Sequence, residues 1–252
     1  MVTTRFLLLA GGVLGVLAFI FSCSSDDVKE GLLEYGGQTY RTVNINGQIL
    51  MAENLNYDMP GSKCYGNNPA NCAAYGRLYD WVTVMALPHS CISLSCANYI
   101  TTPHKGICPG GWHIPTNAEW DKLYRFIDGD HGTESPYDSR TAGRYLKAKL
   151  GWKHCGPSGP SSSSGSSSSS SSSLNDKPYL CDDAYDFAAL PGGCNNLGGF
   201  TGAGEVGFWW RASENDSAAS AAYISFIYNR FDKASWSHSP KNYFHSVRCF
   251  KD

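Results

Sequence analysis

Ten Cys and seven His are the residues in this chain most able to do chemistry. Zinc would need ligands closely paired, as in CxxC with CxxC or HxxxH, and no such pairing is present. Cys64 and Cys72 share one short loop and are natural partners, and Cys91 and Cys96 could close another. Cys155 and Cys181 flank a Ser-rich stretch, while Cys108 and Cys249 bracket the main body and leave Cys194 over. Disulfides, and so an oxidising compartment, are the expectation. Asp128, Asp130, His131 and Glu134 are spaced like a calcium loop, but oxygen-rich loops are common on any surface. There is no GxSxG nucleophile elbow. The remaining chemistry is recognition: Trp209, Trp210 and Trp236 could stack on sugars, with Glu214 and Asn215 beside them. A strand would send one of Trp209 and Trp210 inward and the other outward, so Trp236 and one of that pair are expected at the surface.

The elements that must position these residues begin with a targeting segment. Arg5 precedes an uncharged apolar run from Phe6 to Phe21, which at 16 residues is short for a spanning helix. The run ends at Ile20-Phe21-Ser22-Cys23, which resembles the lipobox of bacterial lipoproteins. That resemblance implies cleavage before Cys23 and acylation of Cys23, palmitate included, giving a firm membrane anchor. Ser24-Ser25-Asp26-Asp27 reads either as a surface-export signal of Bacteroidetes-type lipoproteins or as the start of a solvated tether. The division is then a signal peptide over residues 1–22, lipidated Cys and tether over 23–34, and one domain over 35–252. Without its first 22 residues the chain keeps 19 basic and 22 acidic side chains, which gives no reason to expect nucleic-acid binding.

Thr39 to Ile45 and Gln48 to Met51 alternate about Asn46-Gly47, a hairpin signal. Leu78, Trp81, Val82 and Met85 fit one helical face, with Arg77 and Asp80 expected to pair or to bond backbone. Pro109-Gly110-Gly111 is turn chemistry. Thr116 and Glu119 form a capping box ahead of Trp120, Leu123, Tyr124 and Ile127, the apolar stripe of a central helix. His113 in the preceding turn reads as a buried hydrogen-bonding residue. Ala142 to Leu150 reads as a second short helix. The stretch at about 156–174 is nearly all Ser and cannot bury apolar surface, so a disordered insertion is expected. Asp186 to Gly193, Phe208 to Glu214, Ala222 to Phe226 and Val247 to Phe250 read as strands of a small antiparallel sheet, giving an α+β domain.

With these pieces in place, the chain from about Tyr35 resembles the Fibrobacter succinogenes major paralogous domain, a family of bacterial lipoproteins and secreted modules. Three motifs carry most of the resemblance: Met51-Ala52-Glu53-Asn54-Leu55-Asn56, Tyr75-Gly76-Arg77-Leu78-Tyr79-Asp80-Trp81, and Gly106 to Pro115. Ala188-Leu190-Pro191-Gly192-Gly193, Trp210-Ala212-Ser213-Glu214 and Ser246-Val247-Arg248-Cys249 add to them. More distantly, Trp112 to Trp120 is similar to a signature of formylglycine-generating-enzyme-like domains. This implies a C-type-lectin-like fold with a twisted antiparallel sheet, two or so helices, long loops and a Cys108–Cys249 bridge. The Glu-Pro-Asn and Trp-Asn-Asp motifs of calcium-dependent lectins do not occur, so no metal or cofactor is expected. The leading expectation is a non-catalytic recognition module for polysaccharide or a protein, on an outer-membrane lipoprotein of the bacterial envelope, facing the surface if Ser24 to Asp27 is the export signal. A structural envelope component is the alternative. An oxidase of the formylglycine-generating type is remote, because it needs two neighbouring reactive Cys and Cys194 is the one spare thiol.

Overall fold

The computed structural model describes residues 31–130, 139–155 and 180–252. The expected leader, the expected lipidation at Cys23, His131, Glu134 and the Ser-rich stretch lie outside the described residues.

Three strands open the fold: β1 (Gly31–Tyr35), β2 (Gln38–Ile45) and β3 (Gln48–Met51). Asn46 and Gly47 join β2 to β3 at φ 50° and 77°, the left-handed pair that a tight hairpin turn demands. β1 starts inside the stretch expected as tether, because Leu33 and Tyr35 pack on the core while the strand pairs with β2. Two helices follow, α1 (Pro69–Tyr75) and α2 (Trp81–Val84). After β4 (Trp112–His113) come the central helix α3 (Asn117–Asp130) and α4 (Ala142–Leu146). The second half holds β5 (Cys194–Asn196), β6 (Gly199–Thr201), β7 (Val206–Asn215), β8 (Ala218–Tyr228), β9 (Ala234–Pro240) and β10 (Phe250–Lys251).

These strands form three sheets where one was expected: β1-β2-β3-β10-β4, the β5-β6 hairpin, and β7-β8-β9. Every pairing between the named strands is antiparallel. The molecule is an α+β domain. The C-terminal β10 inserts between β3 and β4, so the end of the domain closes against its beginning.

Local signals decide the elements that the sequence marks well. In α3, Glu119 N–H donates to Thr116 Oγ1 at 3.2 Å and Thr116 N–H to Glu119 Oε2 at 2.8 Å, a complete capping box. Trp120, Leu123, Tyr124 and Ile127 are buried, and the Trp120 ring lies 5.6 Å from Phe250 and 6.2 Å from Trp209. Helix α2 is shorter than expected. Leu78 is held in a bridge to Lys63, and Asp80 caps the helix by accepting from Thr83 N–H at 2.8 Å. Arg77 pairs with Asp58 at 2.7 Å. Helix α4 stops at Leu146 because Lys147 turns extended to bridge Ala189. Asp186 to Gly193 makes isolated bridges in place of a strand, and Val247 and Cys249 give their carbonyls to Leu55 and Met51.

Disulfides join Cys64 to Cys72, Cys91 to Cys96, Cys108 to Cys249 and Cys155 to Cys181, and Cys194 is a buried free thiol.

The core carries an unusual number of buried cationic side chains, each supplied with acceptors as a buried charge requires. Arg248 is fully buried against the Phe187 ring, 4.2 Å from its centroid. It donates to Asn54 Oδ1 at 2.9 Å and to the Ala188 carbonyl at 2.6 Å, with the Phe187 carbonyl also engaged. Burial lowers its pKa to about 9. Asn54 is the matching hub: it also accepts from the Trp209 indole at 2.8 Å and donates to the Tyr75 carbonyl at 2.8 Å. Lys147 reaches the carbonyls of Asn229 and Phe231 at 3.1 and 2.7 Å, and burial pulls its pKa to about 8.

Candidate functional site

The structure separates the residues that the sequence grouped as a sugar site. Trp210 is not at the surface: both it and Trp209 have zero exposure. Strand β7 is covered on both faces, so alternation sends one indole to each of two cores. Trp209 joins the aromatic cluster around Trp120, and Trp210 packs 4.6 Å from His245 and donates to the Tyr79 carbonyl at 2.8 Å. Glu214 is likewise structural. Its side chain is 8% exposed and takes Lys241 Nζ at 2.5 Å, Cys96 N–H at 2.8 Å and Ser95 Oγ at 2.8 Å. Burial opposes the charge on Glu214, but these donors hold its pKa below the ordinary value. Asn215 accepts from Ser217 N–H within the β7–β8 turn at 2.9 Å. Of these five residues, Trp236 alone stands at the surface, 40% exposed, with Tyr223 edge-on at 5.6 Å.

His113 is 4% exposed, bonded through Nδ1 to Asp252 at 2.7 Å and through Nε2 to Glu119 at 2.8 Å. Burial weighs against its charged form, but the two carboxylates outweigh it and raise the pKa above the usual histidine value. Both ring nitrogens are engaged, so His113 is built as a clamp between β4, α3 and the residue after β10. Asp128 accepts from Ser139 Oγ at 2.7 Å and from the N–H groups of Arg140 and Thr141, which ties α3 to the start of α4. Among the described residues, no group of three or more His, Cys, Asp or Glu is placed to hold a metal ion.

The surface that the sequence reading missed lies on the opposite face of β7-β8-β9 from Trp236. Register pairs Trp236 with Ser225 and Ser225 with Trp209, while Phe208 pairs with Phe226. Phe226 lies 6.1 Å from Phe208 and 5.4 Å from Tyr228, and Tyr228 lies 6.2 Å from Phe231. This ladder climbs from half-buried Phe208 and Phe226 to Tyr228 at 39% and Phe231 at 52% exposure. Phe226 and Tyr228, two apart on one strand, were a visible signal. Aligning them with Phe208 needed the register across β7.

Fold and site together define a disulfide-tied α+β domain whose buried polar groups serve structure and whose chemistry at the surface is aromatic. The Fibrobacter succinogenes major domain matches residues 43–251, and the chain belongs to that family. No curated protein and no solved structure matches the chain.

Proposed function

We propose that this chain is the non-catalytic recognition module of an envelope-anchored lipoprotein, binding glycan or plant-fibre polysaccharide. The observation that carries the reading is the exposed ladder Phe208–Phe226–Tyr228–Phe231. Contiguous apolar surface of this kind marks interaction sites, and rings held by the backbone, Phe208, Phe226 and Tyr228 on strands and Phe231 in the β8–β9 connection, lose little entropy on binding. The C–H face of a pyranose stacks on such rings. Trp236 with Tyr223 offers a second, smaller aromatic contact. The Cys23 anchor, and a C-type-lectin-like relationship of the fold, belong to the same proposal. The engagement of Cys249 with Cys108 and the burial of Cys194, which pushes its thiol pKa up, weigh against an oxidase that needs two neighbouring reactive thiols.

A purely architectural envelope role is the second reading, favoured by four disulfides tying a domain this size. A polysaccharide panel read by thermal shift, with and without calcium, separates the two, since a ligand of the native state raises the melting temperature. A reproducible shift that Tyr228→Ala with Phe231→Ala removes is expected. No shift with any polymer would sink the glycan reading and bring protein partners and architecture forward.

A further inference from the structure

The exposed end of the aromatic ladder is also a cluster of cations. Residues 229–233 connect β8 to β9, and Arg230 and Lys233 stand on either side of Phe231, the most exposed ring of the ladder. Lys233 Nζ lies 5.9 Å from the Phe231 ring centroid, and Arg230 Nη2 donates to His154 Nε2 at 3.3 Å. Both cations are exposed, and among the described residues neither makes an ion pair. The acids nearby have cations of their own. Glu205 takes Lys153 Nζ at 2.7 Å, and Asp232 acts on Lys147, buried beneath the same turn. Arg230 and Lys233 thus leave a local surplus of positive charge in a chain whose formal net charge is −2.

The turn that carries them is fastened from below. Lys147 Nζ donates to the carbonyls of Asn229 and Phe231 at 3.1 and 2.7 Å, and Arg144 N–H to the Asp232 carbonyl at 2.9 Å. Rings and cations are therefore presented by a fixed backbone, which lowers the entropy cost of binding. A neutral polymer would use the rings alone. A polymer of acidic sugars uses both features: its C–H faces stack on Tyr228 and Phe231 while its carboxylates meet Lys233 and the planar donor fork of Arg230.

Resting on the glycan reading of the ladder, we propose that its ligand is an acidic polysaccharide, one whose sugars carry carboxylates as uronic acids do. The purified full chain in detergent, without calcium, is titrated by calorimetry with polygalacturonate, with its methyl ester and with neutral xylan. Esterification keeps the backbone of the polymer and removes its charge. Polygalacturonate is expected to bind more tightly than the ester, with a gap that narrows as salt is added. Arg230→Gln with Lys233→Gln should weaken polygalacturonate binding about fivefold, the scale of two exposed ion pairs, and leave ester binding unchanged. If melting curves show that this double variant does not fold, Arg230→Gln alone carries the test. Lys122→Gln removes an exposed charge on α3, which packs against the other face of the sheet through Trp120 and Trp209, and should change neither. Tyr228→Ala with Phe231→Ala should remove both. Equal binding of the acid and its ester, lost with the ladder rings, overturns the acidic proposal and leaves the glycan reading standing. An equal loss in Lys122→Gln overturns it as an effect of net charge, and acid binding that survives loss of the rings overturns it by placing the site elsewhere. No binding of any polymer overturns it together with the glycan reading.

Discussion

Trp210 and Trp236 are both tryptophans in strands of the same sheet, yet they do opposite work. Trp210 has zero exposure, and its indole N–H finds the Tyr79 carbonyl at 2.8 Å. A buried indole N–H needs such a partner, and the Tyr79 carbonyl serves it while also accepting from His245 N–H at 3.0 Å. Trp236 is 40% exposed, with the Tyr223 ring edge-on at 5.6 Å. Trp210→Ala is therefore expected to cost about 3–5 kcal/mol, the loss of a fully buried indole and the cavity it leaves. Trp236→Ala is expected to cost about 1 kcal/mol or less. Urea denaturation of both variants checks the assignment, and a comparable loss in the two would contradict the burial difference described above. The same contrast explains why a surface site on Trp210 and Glu214 was a reasonable expectation from types and spacing. Nothing local marks β7 as covered on both faces, and nothing near Glu214 in sequence announces Lys241 or Cys96.

Helix α3 owes its position to more than its apolar stripe. The capping carboxylate of Glu119 serves Thr116 through Oε2 and His113 through Oε1, so the helix start is fastened to β4. Asp252 takes the other imidazole nitrogen and fastens the residue after β10 to the same point. His113 faces these two carboxylates, and its pKa in the fold is raised above the ordinary value, burial notwithstanding. The sign follows from linkage: the folded state binds the proton more tightly than the unfolded chain. The clamp therefore stabilises fully below the ordinary histidine pKa and fades as pH rises through the raised value. Glu119, with its pKa lowered by the same contact against the pull of burial, adds a contribution that is lost in acid. Denaturant midpoints taken from about pH 5 to pH 8 should fall with pH in the wild type more than in His113→Gln. Equal slopes would mean that the imidazolium does not carry the clamp. Element by element, the legible parts of the sequence are those decided locally. The Asn46-Gly47 turn and the Thr116–Glu119 box each lie within a few residues, and α3 shows its stripe over two turns. Helix α2 and the bridges of Ala189 and Gly193 are set by Lys63, Lys147 and Gly207, which no short window contains.

Across the whole molecule, closure is the organising event. β10 completes the first sheet by pairing Phe250 with Leu50 on one side and His113 on the other. Arg248, two residues earlier, reaches Asn54 and the carbonyls of Phe187 and Ala188, so one cation joins the first strands, the second half and the chain's end. A bond made between parts so far apart constrains the unfolded chain most. Cys108–Cys249 spans 141 residues, while Cys91–Cys96 spans 5. In the chain-entropy account, the long loop contributes about 5 kcal/mol and the short one about 2. All four sulfurs are nearly or fully buried, so replacing either pair by Ala carries a similar packing loss, and the entropy difference remains visible. Cys108→Ala with Cys249→Ala should therefore lower the unfolding free energy in urea by roughly 3 kcal/mol more than Cys91→Ala with Cys96→Ala. If the two double variants lose the same amount, closure is maintained without the bridge, and the buried Arg248 network holds the ends together by itself.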